Sequence, residues 1–235
     1  MVNGDNKIIV ALDNEIVDGL RLISLISGDK ELRDMVYGLK VGSLWVLKNG
    51  IDIVVDVHSI MWEGGNLILD MQKWSTDIPE IVAKQVNKVA ETGAVEELIA
   101  CPMGGGVKSL TSFANMCKDG GVRPLCVLEM THPGSGSYLK DVAYYDILSD
   151  AASLGIDGFV IPATKEPKVR IKEHLADAFP DLTYDLYATG FKVQGGQAEP
   201  MRKFGVSKYI IGRAIYESED EGQAIRDAYA EINQK

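Results

Sequence analysis

Three charged residues crowd the end of one short apolar run. Residues 67–69 are Leu, Ile and Leu; Asp70 follows them, and Lys73 and Asp77 lie just beyond. The run predicts a buried strand, and the step from Asp77 to Glu80 predicts a helix start with Asp77 as its N-cap. Enzymes built on parallel strands keep their chemistry in such strand-to-helix loops. The pattern therefore predicts a loop that offers one ammonium and two carboxylates.

A fourth candidate is Lys40, which lies among apolar residues near the end of a predicted strand at 36–41. A buried ammonium requires a partner, and barrel strands are covered on both faces. We therefore expect Asp70, at the end of the next strand, to be its counter-ion. Asp13 could join them or could cap the helix that follows it. A Lys40 that faces solvent is the alternative.

Two segments near the carboxyl end have the composition of a phosphate site. Residues 189–196 contain three glycines, and Gly212-Arg213 precedes a short helix-like turn. Bare backbone N–H groups, a guanidinium and a helix N-terminus all favour an anion. Each segment alone is better explained as an ordinary turn. Their joint position after a seventh and an eighth predicted strand favours phosphate binding, because barrel enzymes use those two loops for it.

The elements that must position these groups alternate along the whole chain. Short β-branched or apolar runs are followed by amphipathic segments, which is typical of βα units. Eight units in 235 residues predict a (β/α)8 TIM barrel, with one domain over residues 1–235, and an open doubly wound sheet is the alternative. The predicted strands are 8–12, 36–41, 67–70, 97–101, 124–128, 158–161, 183–188 and 209–211.

The amphipathic segments between the strands predict helices, and one connection looks longer than the others. The pattern of residues 49–65 is irregular enough to include a longer connection. The predicted helices include 15–27, 78–92, 139–154, 169–179 and 221–232.

Composition excludes several classes of function. The formal net charge of -10 disfavours nucleic acid, whose binding requires neutralisation of phosphates by Lys and Arg. No apolar run approaches the roughly 18 residues that a membrane span needs, and the first residues do not have the pattern of a signal peptide. We therefore expect a cytoplasmic protein, for which an anionic small substrate stays open if a few cations converge locally. The three cysteines and three histidines lack metal-ligand spacing, so we expect no metal.

Several segments, in the same order, resemble orotidine 5'-monophosphate decarboxylases of the short archaeal type. The resemblance covers nearly the whole chain and is more specific than any single motif. The segments are ALD at 11–13, LKVG at 39–42, LILD with the following lysine and DIP at 67–79, MTHPG at 130–134, VQGG at 193–196 and IIGRAIY at 210–216.

The resemblance implies a cofactor-free decarboxylation of orotidine 5'-monophosphate to uridine 5'-monophosphate in de novo pyrimidine biosynthesis, by a homodimer with shared active sites. It implies a Lys-Asp-Lys-Asp network of Lys40, Asp70, Lys73 and Asp77. Within it, Lys73 donates the proton and Asp77 reaches the partner's site. The implied substrate contacts are Asp13 and Lys40 to the ribose, Thr131 to the pyrimidine, and Gln194, Gly212 and Arg213 to the phosphate.

The charged loop departs from the family's D-x-K-x-x-D spacing, because this chain has D-x-x-K-x-x-x-D. One residue is added on each side of Lys73, and Gln72 stands where the lysine is expected. Either the loop bulges so that Lys73 still reaches the substrate, or the reactive geometry is lost. A displacement of about 1 Å can cost roughly a hundredfold in rate.

Two other functions are therefore kept open. One is a related sugar-phosphate lyase, of the 3-keto-gulonate 6-phosphate decarboxylase or hexulose phosphate synthase type. Those enzymes carry a metal-binding Glu at the position of Lys40 and lack the MTHPG segment, and both differences count against them. The other is a catalytically silent nucleotide-binding homologue, which the altered loop spacing supports.

Overall fold

The strands of the protein close into one parallel barrel. The computed structural model describes residues 6–13, 15–132, 134–135, 137–164, 166–167, 169–191 and 195–234, with only the backbone of Lys73. Every neighbouring pair of strands is parallel, and the last strand pairs with the first. Because an open sheet lacks that last pairing, the predicted TIM barrel is confirmed and the open alternative is wrong.

Each strand overlaps one predicted from the sequence, and no strand end differs by more than two residues. Their apolar and β-branched residues suit a pleated backbone that is packed on both faces. The strands are β1 (Lys7–Leu12), β2 (Val36–Gly42), β3 (Asn66–Asp70), β4 (Glu97–Ala100), β5 (Arg123–Val127), β6 (Gly158–Pro162), β7 (Asp185–Thr189) and β8 (Lys208–Ile211).

The barrel wall separates two apolar cores. Ile68 belongs to a small cluster inside the barrel, whereas its neighbours Leu67 and Leu69 belong to the larger cluster between the strands and the helices. This division follows from the strand itself, because successive side chains point to opposite faces. A side chain two residues beyond an interior one therefore also faces the interior.

Eleven α-helices lie in the described part of the chain, and none of them is long and apolar enough to cross a membrane. The five helices predicted from the sequence correspond to α1, α5, α7, α8 and α11. The helices are α1 (Ile16–Gly28), α2 (Lys30–Met35), α3 (Ser43–Asn49), α4 (Ile53–Ile60), α5 (Pro79–Ala90), α6 (Gly106–Asp119), α7 (Val142–Ser153), α8 (Ile171–Ala178), α9 (Ala198–Phe204), α10 (Arg213–Tyr216) and α11 (Glu221–Ile232).

The segment 49–65, whose sequence suggested a longer connection, contains α4 in its middle. Ile53, Val54 and Val57 are buried on one side of this helix. Its many β-branched residues have weak helix propensity, so packing of the buried side against the core stabilises it.

The start of α5 also differs from the prediction. Its N-cap is Ile78, and the Asp77 carboxylate accepts a hydrogen bond from the N–H of Ile78 at 2.7 Å instead of capping the first turn. Pro79 is the first helical residue, since its fixed φ suits that position and its missing N–H costs nothing there. Asp77 is therefore outside the helix, and the predicted capping box with Glu80 is wrong.

A network of charged residues around the buried Glu97 lies at the amino-terminal end of the barrel. The Glu97 carboxylate is 2% exposed and accepts hydrogen bonds from the hydroxyls of Tyr37 and Tyr187, both at 2.8 Å. Arg123 lies 3.2 Å from Glu97 and continues the network to neighbouring strands. The other ion pairs are Arg123 with Asp157 at 2.8 Å, Arg123 with Asp185 at 3.0 Å and Lys208 with Asp185 at 2.6 Å.

Candidate active site

The strand register brings Asp13, Lys40 and Asp70 to the carboxyl end of the barrel. Lys40 is in register with Ala11 and Ile68, whose side chains both belong to the interior cluster. Lys40 therefore also points inward. Asp13 and Asp70 lie two residues beyond Ala11 and Ile68, on the same side of their strands. Three charged side chains thus meet above the interior core.

Lys40 is held between the two carboxylates. Its Nζ lies 3.1 Å from Oδ2 of Asp70 and 3.3 Å from Oδ1 of Asp13. Lys40 is 7% exposed, and the side chain of Asp70 is 14% exposed. A Cβ on Gly42 would stand 2.8 Å from Oδ1 of Asp13, so a glycine at this position leaves room for that carboxylate.

The Lys40 ammonium remains protonated despite its burial. Removal from water by itself lowers the pKa of a lysine, but the charges of Asp70 and Asp13 and their hydrogen bonds outweigh it, so the pKa of Lys40 is raised. The site therefore presents a fixed positive charge flanked by two carboxylates.

A cavity of about 200 Å³ opens beside this charged group. Apolar side chains of the interior core, among them Ile99, Val127 and Val160, form part of its wall. Polar groups converge on it from several strand ends, as expected of a small-molecule site. The polar lining residues are Asp13, Lys40, Asp70, Gln72, Glu129, Thr131, Thr189, Gly190, Gly212, Arg213 and Tyr216.

Most of the residues predicted for the site line this cavity. Asp13, Lys40 and Asp70 form one side of it, and Thr131, Gly212 and Arg213 also line it. Gln194 lies outside the described residues, as does the side chain of Lys73.

Asp77 is not brought to the cavity. It is exposed, and its carboxylate accepts a hydrogen bond from the N–H of Ile78. Among the described side chains, no cation pairs with it. In the single chain, Asp77 therefore does not line the cavity that Lys40 and Asp70 line.

Sequence reasoning missed two polar residues of the cavity. Glu129 is 3% exposed and follows Val127, an interior residue, by two positions. It ends an apolar run as Asp70 does, and that signal could have identified it. Tyr216 lies in the turn after Arg213. Burial and the charge of Asp13 raise the pKa of Tyr216, so its hydroxyl stays protonated.

A second cavity of about 450 Å³ lies on the other side of the charged group. Asp13, Lys40 and Asp70 border it too, but the rest of its lining is mainly apolar. Leu44 is 66% exposed and Leu47 is 80% exposed. The other lining residues are Gly42, Ser43, Met71, Gln72 and Trp74.

The chain is similar to known proteins along most of its length. A family model described as "Orotidine 5'-phosphate decarboxylase / HUMPS family" matches residues 6–228. The chain belongs to this family. The resemblance seen in its sequence segments is thereby confirmed.

Curated relatives carry the first of those two names. The orotidine 5'-phosphate decarboxylase of Methanococcus maripaludis is 30% identical, over 94% of this chain and 94% of the relative. That of Methanococcoides burtonii is 28% identical, over 97% of this chain and 98% of the relative. The likeness therefore extends over whole proteins.

Solved structures of the family have the same fold. The orotidine 5'-monophosphate decarboxylase of Methanocaldococcus jannaschii, complexed with inhibitor BMP, superposes with a TM-score of 0.81 at 22% identity and covers 99% of this chain and 100% of its own. The enzyme of Pyrococcus horikoshii gives a TM-score of 0.78 at 23% identity and covers 97% and 100%. At this level of identity the likeness shows the fold.

Proposed function

We propose that this protein decarboxylates orotidine 5'-monophosphate to uridine 5'-monophosphate without a cofactor, as a step of de novo pyrimidine biosynthesis. One observation carries the proposal: the Lys40 ammonium is fixed between Asp13 and Asp70 beside a cavity that Gly212 and Arg213 also line. Membership of the family and the names of its relatives supply the substrate.

The charges beside the cavity suit a reaction that passes through a carbanion. The bond between the ring carbon and its carboxylate breaks, carbon dioxide leaves, and the electron pair stays on the ring carbon. Asp70 repels the departing carboxylate in the bound substrate, whereas a neighbouring ammonium stabilises the charge that develops. Only interactions that are stronger in the transition state increase the rate. Lys73 then gives a proton to the ring carbon.

The remaining contacts hold the nucleotide. Asp13 and Lys40 bind ribose hydroxyls, and Thr131 contacts the pyrimidine. The phosphate binds Gln194, the backbone of Gly212 and the guanidinium of Arg213, which begins α10. These contacts are remote from the reacting carbon, and their binding energy helps to hold the arrangement in place.

We further propose a cytoplasmic homodimer in which Asp77 serves the partner's active site. Two features support it: Asp77 is exposed and does not line its own cavity, and apolar side chains around the second cavity are exposed. Ile78, next to Asp77, is 59% exposed. A partner chain that covers these side chains would remove apolar surface from water.

Turnover of the natural substrate is the decisive test. Purified protein should remove the orotate absorbance of orotidine 5'-monophosphate in buffer that contains a chelator and no added metal. Absence of turnover at high enzyme concentration, together with binding of uridine 5'-monophosphate, would instead establish a silent nucleotide binder. Turnover of a sugar phosphate that requires a divalent metal would establish a related lyase.

Two neighbouring loop residues provide a matched pair of variants. Lys73→Ala should lower kcat by about 10²-fold to 10⁴-fold, because it removes the proton donor. Gln72→Ala should lower kcat by less than about tenfold, since removing one neutral hydrogen-bonding group costs about 1 kcal/mol. The same assay, with uridine 5'-monophosphate affinity as a folding control, measures both. A larger loss for Gln72→Ala would overturn the assignment of Lys73.

A further inference from the structure

The charged loop, residues 70–78, is fastened to the segment that runs from the end of β4 into α6. The N–H of Cys101 donates a hydrogen bond to the carbonyl of Gln72 at 2.7 Å. Farther along, the Ser109 hydroxyl donates to the carbonyl of Asp77 at 2.5 Å. Ser109 is 2% exposed, so this hydrogen bond is shielded from water. Both ends of the loop are thus hydrogen-bonded to the segment that runs from the end of β4 into α6.

Between these two hydrogen bonds, the backbone of the loop lies in close contact with Gly105. A Cβ on Gly105 would stand 2.0 Å from the carbonyl oxygen of Ser75, a distance that no side chain can occupy. The φ of Gly105 is -95°, which any residue adopts, so the close approach alone requires glycine. Ser75 is fully buried at this contact. The preceding Gly104 is different, because a Cβ there would make an ordinary contact of 3.4 Å with Thr76.

These three contacts involve the residues around Lys73 and the backbone of Asp77, which are the two reactive positions of the loop. The backbone of Lys73 lies in a 3-10 turn, Gln72–Ser75, whose first residue bonds Cys101 and whose last residue packs on Gly105. Asp77 is held through its own carbonyl by Ser109. A loop two residues longer than the family's spacing has more conformations open to it, and a small displacement of a reactive group is costly.

We propose that Ser109 and Gly105 are positioning residues, which hold the longer charged loop so that Lys73 and Asp77 stand where the reaction needs them. The inference rests on the proposed decarboxylation and assigns the α6 segment a role in it. Neither residue touches the cavity, and both act through the backbone of the loop.

Two serines on α6 allow a controlled test. Ser112 makes the same kind of bond as Ser109, at 2.7 Å, but to the carbonyl of Pro79, which already belongs to α5. Ser109→Ala should lower kcat by about tenfold to a hundredfold with KM within about threefold, because reactive groups shift while the nucleotide contacts stay. Ser112→Ala should leave kcat within about twofold, since it frees no part of the loop. Equal losses in the two variants would overturn the proposal.

Hydrogen exchange separates this inference from the proposed function. In Ser109→Ala the peptide over residues 70–78 should exchange faster than in the wild type, and in Ser112→Ala it should not. Unchanged exchange in Ser109→Ala, with an active wild type, would overturn the positioning role alone. An inactive wild type would overturn the proposed function and the positioning role together.

A glycine pair provides a second, independent test. Gly105→Ala should displace the loop and reduce kcat as Ser109→Ala does, whereas Gly104→Ala should behave like the wild type. Circular dichroism and the melting temperature identify a Gly105→Ala protein that fails to fold, in which case the serine pair decides. A folded Gly105→Ala protein with wild-type kcat and wild-type loop exchange would contradict the proposal.

Discussion

Lys40 and Arg213 are two cations of the cavity in opposite environments. Lys40 is buried and its pKa is raised, because the charges of Asp70 and Asp13 outweigh the effect of burial. Arg213 is exposed at the first turn of α10. A buried, paired ammonium suits the reacting centre, where water must be excluded. An exposed guanidinium suits the phosphate, which can be bound through two parallel hydrogen bonds.

Replacement of Arg213 should therefore lower the affinity for a nucleotide more than the affinity for the corresponding nucleoside. Arg213→Ala should lower the affinity for uridine 5'-monophosphate by about tenfold to a hundredfold, since a hydrogen bond to a charged group contributes roughly 1.5–3 kcal/mol. The affinity for uridine, which lacks the phosphate, should fall by less than about twofold, because that hydrogen bond is not made. Isothermal titration measures both affinities, with Arg213→Lys as the variant that keeps the charge without the planar fork. Equal losses for the two ligands would refute the phosphate assignment.

The two ends of the barrel have different tasks. The carboxyl ends of the strands carry groups that line the cavity, and the amino ends of several strands carry the network around Glu97. Glu97, Arg123 and Lys208 are the first residues of β4, β5 and β8. This division allows stability and chemistry to be changed separately, because the interior core lies between the two ends.

A variant of the amino-terminal network should lose stability and keep its activity. Arg123→Met should lower the free energy of unfolding by about 3–5 kcal/mol, because it leaves the buried Glu97 carboxylate without its cation. Urea denaturation measures this, and kcat should stay within about twofold at temperatures where the variant is folded.

The exposed pair Lys203–Glu199 is the matched control, at 2.8 Å with both side chains at least 70% exposed. Lys203→Ala should lower the free energy of unfolding by less than about 1 kcal/mol, since solvent screens an exposed ion pair. Similar losses in the two variants would contradict a structural role for Arg123 as the cation of the buried Glu97.

The single-domain barrel leaves one predicted reactive group outside its own cavity. Asp77 is exposed near Ile78, while Leu44 and Leu47 are exposed beside the second cavity. A two-fold symmetric contact between copies places the same surfaces of both chains against each other. In such a dimer Asp77 of each chain can complete the site of its partner.

Mixing two inactive variants tests this arrangement. Lys73→Ala and Asp77→Asn chains, unfolded and refolded together, should regain roughly a quarter of the wild-type activity, because half of the dimers are mixed and each has one intact site. Each variant refolded alone is the control and should remain inactive. If Asp77 acts within its own chain, the mixture stays as inactive as its components. Sedimentation measures whether dimers form.

Local sequence patterns sufficed for the strands and for one charged cluster. Runs such as residues 67–70 predicted β3 because a strand buried on both faces requires continuous apolar side chains. The same rule predicted that a lysine inside such a run needs a carboxylate. Lys40 and Asp70 could then be paired before the structure was known, because neighbouring parallel strands bring their carboxyl ends together.

Other features depended on contacts between distant parts of the chain. The helix at Ile53–Ile60 is stabilised by packing that its weak propensity does not reveal. The α5 start at Pro79 leaves Asp77 free of the capping that its neighbours suggested.

The sequence by itself determined the alternation of elements, the eight strands and the charged residues at their exits, because each depends on residues adjacent in the chain. Closure of the barrel, the inclusion of Tyr216 in the cavity and the contacts of the charged loop with Ser109 and Gly105 were decided only in the tertiary structure. The physical reason is that these features arise from strand register and from close approach between segments far apart in the chain, which no local pattern encodes.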